Sequence, residues 1–146
     1  MIEKMLTLLM SALVAIAAMS APARAQTLAD PCSSGTKINV AISETAPAII
    51  VPGMGTSRIY VCFLFLASAG AQNISLVEGS GTVCVTNQAV LIGGPGGTGP
   101  PTQASGSWAL GSGAATITFT ATPGDDVCLL QSLSGLVAGN MIYVRQ

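Results

Sequence analysis

In 146 residues this chain carries five basic side chains, six acidic ones and no histidine, while half of its residues are hydrophobic. So few and scattered cations cannot neutralise a run of phosphates, which argues against nucleic acid as a ligand and against an anionic lipid surface as a support. Without histidine the general base of Ser-His-Asp and Cys-His chemistry is missing, which removes the common nucleophilic hydrolases.

The first segment reads as a secretory signal. A short start with Lys4 beside Glu3 leads into an apolar run from Met5 to Met19, broken only by Thr7 and Ser11. Ser20-Ala21-Pro22 and a small-x-small site, Ala23-Arg24-Ala25, come next. The run is shorter than the roughly 20 apolar residues a membrane span needs, so cleavage after Ala25 is expected, with no membrane span in the mature form. A lipid anchor is not expected, because Cys32 follows Asp30-Pro31 and not a small-residue lipobox. The reading divides the chain into a signal peptide (1–25), an N-terminal segment (26–36) and one domain (37–146), secreted or periplasmic.

All four cysteines, Cys32, Cys62, Cys84 and Cys128, lie beyond the cleavage site. An even count in an exported chain predicts two disulfides, with three connectivities open. A zinc site is not expected: no Cys-x-x-Cys pair and no histidine is present, and the spacings fit no zinc module.

Beyond the signal, β-branched and aromatic runs alternate with Gly, Pro, Ser and Asn clusters, the pattern of a chain of strands. Strands are predicted at 37–43, 48–51, 58–67, 73–78, 82–86, 89–92, 114–121, 126–132 and 140–145. The run from Ile59 to Leu66 is apolar on both faces. It predicts a central strand, covered by an opposing sheet on one side and by loops or a neighbouring subunit on the other. In 114–121 the alternation predicts Ala115, Ile117, Phe119 and Ala121 facing inward and Thr116, Thr118 and Thr120 facing solvent. Gly79-Ser80-Gly81 predicts a hairpin tip. The stretch 93–113 is dominated by Gly, Pro, Ser and Thr and reads as one long surface loop, ordered in part by Trp108 packing back on the domain. The sum is an all-β fold: two antiparallel sheets in a sandwich or jelly roll, stabilised by disulfides and preceded by a helical signal peptide.

Few residues carry chemistry. Glycosidases need two carboxyl groups facing one cleft, and the adjacent pair Asp125-Asp126 would point to opposite faces of a strand. The pair is expected as a solvated turn after Pro123-Gly124, and Glu44 and Glu78 as isolated, exposed side chains. Gly93-Gly94-Pro95-Gly96-Gly97-Thr98-Gly99 lacks the Lys-[Ser/Thr] and the following helix of a phosphate loop, because Pro100-Pro101 follows. Asn73-Ile74-Ser75 matches the glycosylation acceptor pattern. Tyr60 and Tyr143 are expected as sheet or core residues, leaving Trp108 with Gly93, Gly94, Gly96 and Gly97 as the expected contact surface.

Four segments carry a resemblance: Arg58-Ile59-Tyr60-Val61-Cys62, Val77-Glu78-Gly79-Ser80-Gly81-Thr82-Val83-Cys84, Pro123-Gly124-Asp125-Asp126-Val127-Cys128-Leu129 and Met141-Ile142-Tyr143-Val144. Together they resemble a small β-sandwich domain recurring in phage and bacterial sequences, of the virion-surface or tail-associated type. The resemblance implies a sandwich with paired cysteines and transfers no catalytic residue. The expectation is therefore an exported, non-catalytic structural or binding module without cofactor or metal. Its partner is expected to be a protein, a cell surface or further copies of itself. The alternatives are a virion or tail decoration protein and a pilus-like or adhesin subunit.

Overall fold

The computed structural model describes residues 29–94, 99–102 and 106–146. The expected signal peptide and its cleavage site lie outside the described residues, as do Gly96 and Gly97. A single helical turn, α1 (Pro31–Ser34), precedes ten strands. These are β1 (Ile38–Glu44), β2 (Ala48–Val51), β3 (Ile59–Ser68), β4 (Gln72–Ser80), β5 (Thr86–Ile92), β6 (Pro101–Thr102), β7 (Ser107–Leu110), β8 (Thr118–Phe119), β9 (Asp126–Gln131) and β10 (Val137–Arg145).

They form two five-stranded antiparallel sheets. The first runs β1-β10-β3-β7, with β8 pairing further along the same edge of β3; the second runs β2-β9-β4-β5, with β6 pairing β4. The chain changes sheet at β1 to β2, β2 to β3, β3 to β4, β6 to β7, β8 to β9 and β9 to β10. With this order the two sheets form a jelly roll, two interlocked Greek keys.

The core is apolar, with one thioether and one phenol. Ile42, Ile59, Val61, Leu64, Leu66, Val137, Met141 and Tyr143 from the first sheet meet Ile50, Val51, Ile74, Leu76, Val127 and Leu129 from the second. A β-bulge sets which side chains of β3 enter it. Pairing with β10 slips between Ile142, opposite Phe63, and Tyr143, opposite Val61, so Cys62 is an extra residue. The slip resets the two-residue period, so Val61 and Leu64 both face the core while Cys62 stays outside.

That placement decides the disulfides, which join Cys32 to Cys62 and Cys84 to Cys128. Neither bridge crosses the core. Cys32 and Cys62 form a separate cluster with Val144, Tyr60 and Ile142 on the outside of the first sheet. Cys84 and Cys128 pack with Val77, Val83 and Leu130 on the outside of the second. Each bridge clips a non-strand segment, α1 or the turn after β4, over the outer face of its own sheet.

Several expectations need correction. Residues 82–86 are not a separate strand: Thr82–Cys84 form a 3-10 turn, with Val83 at φ 52° and Cys84 at φ 57°, and Thr86 already begins β5. Bridging to Cys128 draws this segment across the sheet face and out of the pleat. In 114–121 only Thr118–Phe119 is strand; Ile117 packs against the core as expected, but Phe119 and Thr120 take the opposite faces. Thr120 is fully buried because its hydroxyl oxygen accepts the Ile59 N–H at 3.0 Å, whereas Phe119 lies outside, stacked on Tyr60 at 5.5 Å. The need to satisfy a buried backbone donor outweighs the side chain's hydropathy. The stretch 93–113 is not one loop but contains β6 and β7. Glu78 and Asp125 are buried, not exposed.

Candidate functional site

Trp108 stands on β7 opposite Leu66, and its ring packs against the core. This agrees with the expectation that it folds back onto the domain. Together with Pro100, Pro101, Thr102, Gly106 and Ser107 it lines a cleft of about 360 Å³. The floor of this cleft is held by backbone and hydroxyl bonds. The Gly106 carbonyl accepts the Ser68 N–H at 3.0 Å, and the Thr102 hydroxyl donates to the Gln72 carbonyl at 2.8 Å. The Trp108 indole N–H is buried and meets no acceptor among the described residues.

The glycine-rich segment begins beside this cleft. Gly93, at φ 94°, abuts Gly99, and both lie on Ile74 and Ser75 of β4. A Cβ at Gly99 would overlap the Ile74 carbonyl, so the close approach requires glycine. The structure thus places Gly93 near the cleft, through Gly99 and Pro100; Gly94 follows it, and Gly96 and Gly97 fall outside the described residues. Ser75 is fully buried under this contact, so the hydroxyl of the Asn73-Ile74-Ser75 pattern is enclosed within the fold.

A second surface lies on the outer side of the first sheet. Since Leu64 and Leu66 face the core, Phe63, Phe65 and Ala67 face outward. By register Phe65 lies beside Asn140, Ala41 and Ala109, and Phe63 beside Ile142 and Asn39. The Asn140 amide donates to the Asn39 side-chain oxygen at 3.1 Å across this face. Tyr60 and Phe119 extend it, and Phe65 and Phe119 are 37% and 44% exposed. None of these positions carries a charge. The doubly apolar character of Ile59 to Leu66 signalled it, and α1 with Cys32 covers only the Cys62 end.

The acidic groups gather elsewhere. Glu78 is 2% exposed, and burial pushes its carboxyl above the usual range. Backbone N–H groups of Ala121 and Thr122 and the positive charge of Arg58 oppose that shift, while negative Asp125 adds to it. One oxygen of Glu78 and one of Asp125 have no hydrogen-bond partner among the described residues. Asp126, by contrast, accepts the Gly53 N–H at 2.6 Å. The carboxyl groups of Glu78 and Asp125 do not line the Trp108 cleft, so that cleft holds no titratable group. Among the described residues, no three His, Cys, Asp or Glu side chains are grouped to hold a metal ion, and no helix is long and apolar enough to cross a membrane.

Fold and surfaces together define a small jelly roll with one disulfide clip on each outer face. No protein-family model, curated protein or solved structure matches the chain.

Proposed function

We propose that the chain is an exported, non-catalytic structural or binding module that acts through the outer face of its first sheet. The uncharged face built on Phe63, Phe65, Ile142, Tyr60 and Phe119 carries this reading. Exposed aromatic side chains on a charge-free sheet face cost solvation until a partner covers them. Secretion or periplasmic residence is supported by the N-terminal residue pattern and by two disulfides, which persist in oxidising compartments. Affinity capture from the native medium or envelope tests the reading. Wild type is expected to retain a partner that a Phe65→Glu variant, equally folded, releases. Equal retention by both proteins would remove the outer face from the account.

A second reading, a virion or tail decoration protein, is favoured by the strand order. Capsid and lectin domains use the same double Greek key. That support is fold-level analogy. Recovery of the chain with purified particles is expected on this reading, and recovery only in culture supernatant sinks it.

A further inference from the structure

We infer that two copies of this chain pair through the free edges of β1, antiparallel about a two-fold axis at Ala41, and so join their outer faces into one continuous sheet. The inference goes beyond the reading above: the edge of β1 borders the outer face, so edge pairing extends that face without covering Phe65.

The four sheet edges are not alike. An open edge presents unpaired N–H and C=O groups, and folded proteins blunt it with short strands, breaks, bulges or proline. Three of the four are blunted here. β2 has four residues, a register slip against β9 and Pro52 directly after it. The β5–β6 edge has two register slips and Asn87 at φ 54°, and it is interrupted between Ile92 and Pro101. The β7–β8 edge is broken by an excursion with Gly111 at φ 77° and Gly113 at φ 81°. β1 has none of these devices. Its seven residues pair with β10 in unbroken register, contain neither proline nor glycine, and pair with no other described strand.

Charge selects the occupant. Lys37 precedes β1 and Glu44 ends it, with five uncharged residues between Ile38 and Glu44. An antiparallel partner of the same sequence therefore sets the Lys37 end of each copy beside the Glu44 end of the other. Glu44 lies opposite Ile38 and Lys37 opposite the residue after Glu44, so the opposite charges attract across the ends of the ladder without forming a facing side-chain pair. A parallel copy would set like charges side by side, which costs stability. The pleat fixes the register further, because outward Asn39, Ala41 and Ser43 must meet outward residues of the second copy. Centring on Ala41 places Ala41 opposite Ala41, Val40 opposite Ile42, and Asn39 opposite Ser43. The contact is isologous, as a closed dimer requires. One edge ladder buries less area than a permanent complex, so the dimer forms and separates with concentration.

Sedimentation of the exported protein, from low micromolar to millimolar concentration, is expected to show a reversible monomer–dimer equilibrium. Ala41→Lys sets two cations face to face and is expected to weaken it about tenfold or more. Lys37→Glu and Glu44→Lys should each weaken it modestly and only at low ionic strength, and the double variant carrying both changes should restore it. Ala41→Cys should form an intermolecular disulfide on mild oxidation, because opposed residues of paired strands lie within bridging distance. Ser43→Cys should not, since its counterpart is displaced along the strand. The cross-linking pair decides the matter if Ala41→Lys fails to fold. A monomer at every concentration, a dimer indifferent to these changes, or a strand from another protein found on β1 in native material would each overturn self-pairing. The monomer result would leave capture through Phe65 intact, so the two proposals fail separately.

Discussion

The Asp30 carboxylate holds Thr116 from 86 residues away, accepting its backbone N–H at 3.0 and 3.1 Å and its hydroxyl at 2.8 Å. The same carboxylate caps α1 by accepting the Cys32 N–H at 2.8 Å. One side chain thus fastens the N-terminal segment, the first disulfide and the excursion between β7 and β8. These donors, the Thr116 backbone first, hold the Asp30 carboxyl below its ordinary value of 3.8. A lowered folded value means the stabilisation is present above that ordinary value and is lost as pH falls through the lowered one. Asp30→Ala is therefore expected to lower Tm at neutral pH and to speed amide exchange at Thr116, and to change little in strong acid. An unchanged exchange rate at Thr116 would contradict the clamp.

Glu78 works with the opposite sign. Its folded value lies above the ordinary 4.5, first because it is buried and then because Asp125 is close by. Its favourable contribution is complete below the ordinary value and is lost as pH rises through the raised one. Above that window the buried carboxylate burdens the fold. Glu78→Gln keeps the shape and removes the charge, so melting at neutral pH should occur at higher temperature than in wild type, with the gap closing in acid. Thermal melts across that range check both direction and window, and a variant less stable than wild type at neutral pH would refute the reading.

Reduction should loosen the clips before the core. The bridges span 30 and 44 residues, and closing a loop of that length stabilises a fold by about 4 kcal/mol on the chain-entropy model. Because neither bridge enters the hydrocarbon cluster, the doubly reduced protein is expected to keep its β-sheet circular dichroism at low temperature while its Tm drops sharply. Leu66→Ala, in contrast, removes a side chain fully enclosed in the core and should cost about 2–5 kcal/mol with both bridges intact. Loss of sheet signal on reduction alone would mean that the clips hold the core.

Composition and turn residues made the two-sheet β class and the oxidised cysteines readable before any coordinates. Ala48–Val51 was read to the residue, because Pro47 and Pro52 bracket it. Other features could not be read, each for a physical reason. The bulge at Cys62 depends on which strand lies beside β3, a contact more than 70 residues distant. Thr120 turns inward to satisfy a backbone donor from β3, a demand invisible in a local alternation. Glu78 was taken for an isolated surface acid because Asp125 and Arg58 join it only through folding. The cleft was half legible. Trp108 stood out as the one tryptophan, but its proline wall follows from the β4–β6 pairing. The outer face was flagged by the run from Ile59 to Leu66, while its extent needed the register of four strands.

Trp108 also supplies a probe that separates the two surfaces. It is the only tryptophan in the chain, so emission reports one location. Its ring shares the Leu66 side of the first sheet, opposite to the side that bears Phe65. A partner seated on the outer face should leave the emission maximum unchanged, whereas one entering the cleft should shift it. Trp108→Phe removes the unpartnered indole N–H and keeps most of the apolar contact, so its stability should fall within about 1 kcal/mol of wild type. Trp108→Ala empties the wall of the cleft and should cost about 2–3 kcal/mol, less than a fully enclosed aromatic because the ring is half-buried. Titrating the captured partner into wild type and Phe65→Glu while following emission then assigns the contact. A shift that survives Phe65→Glu points to the cleft, and binding without any shift points to the face built on β3 and β10.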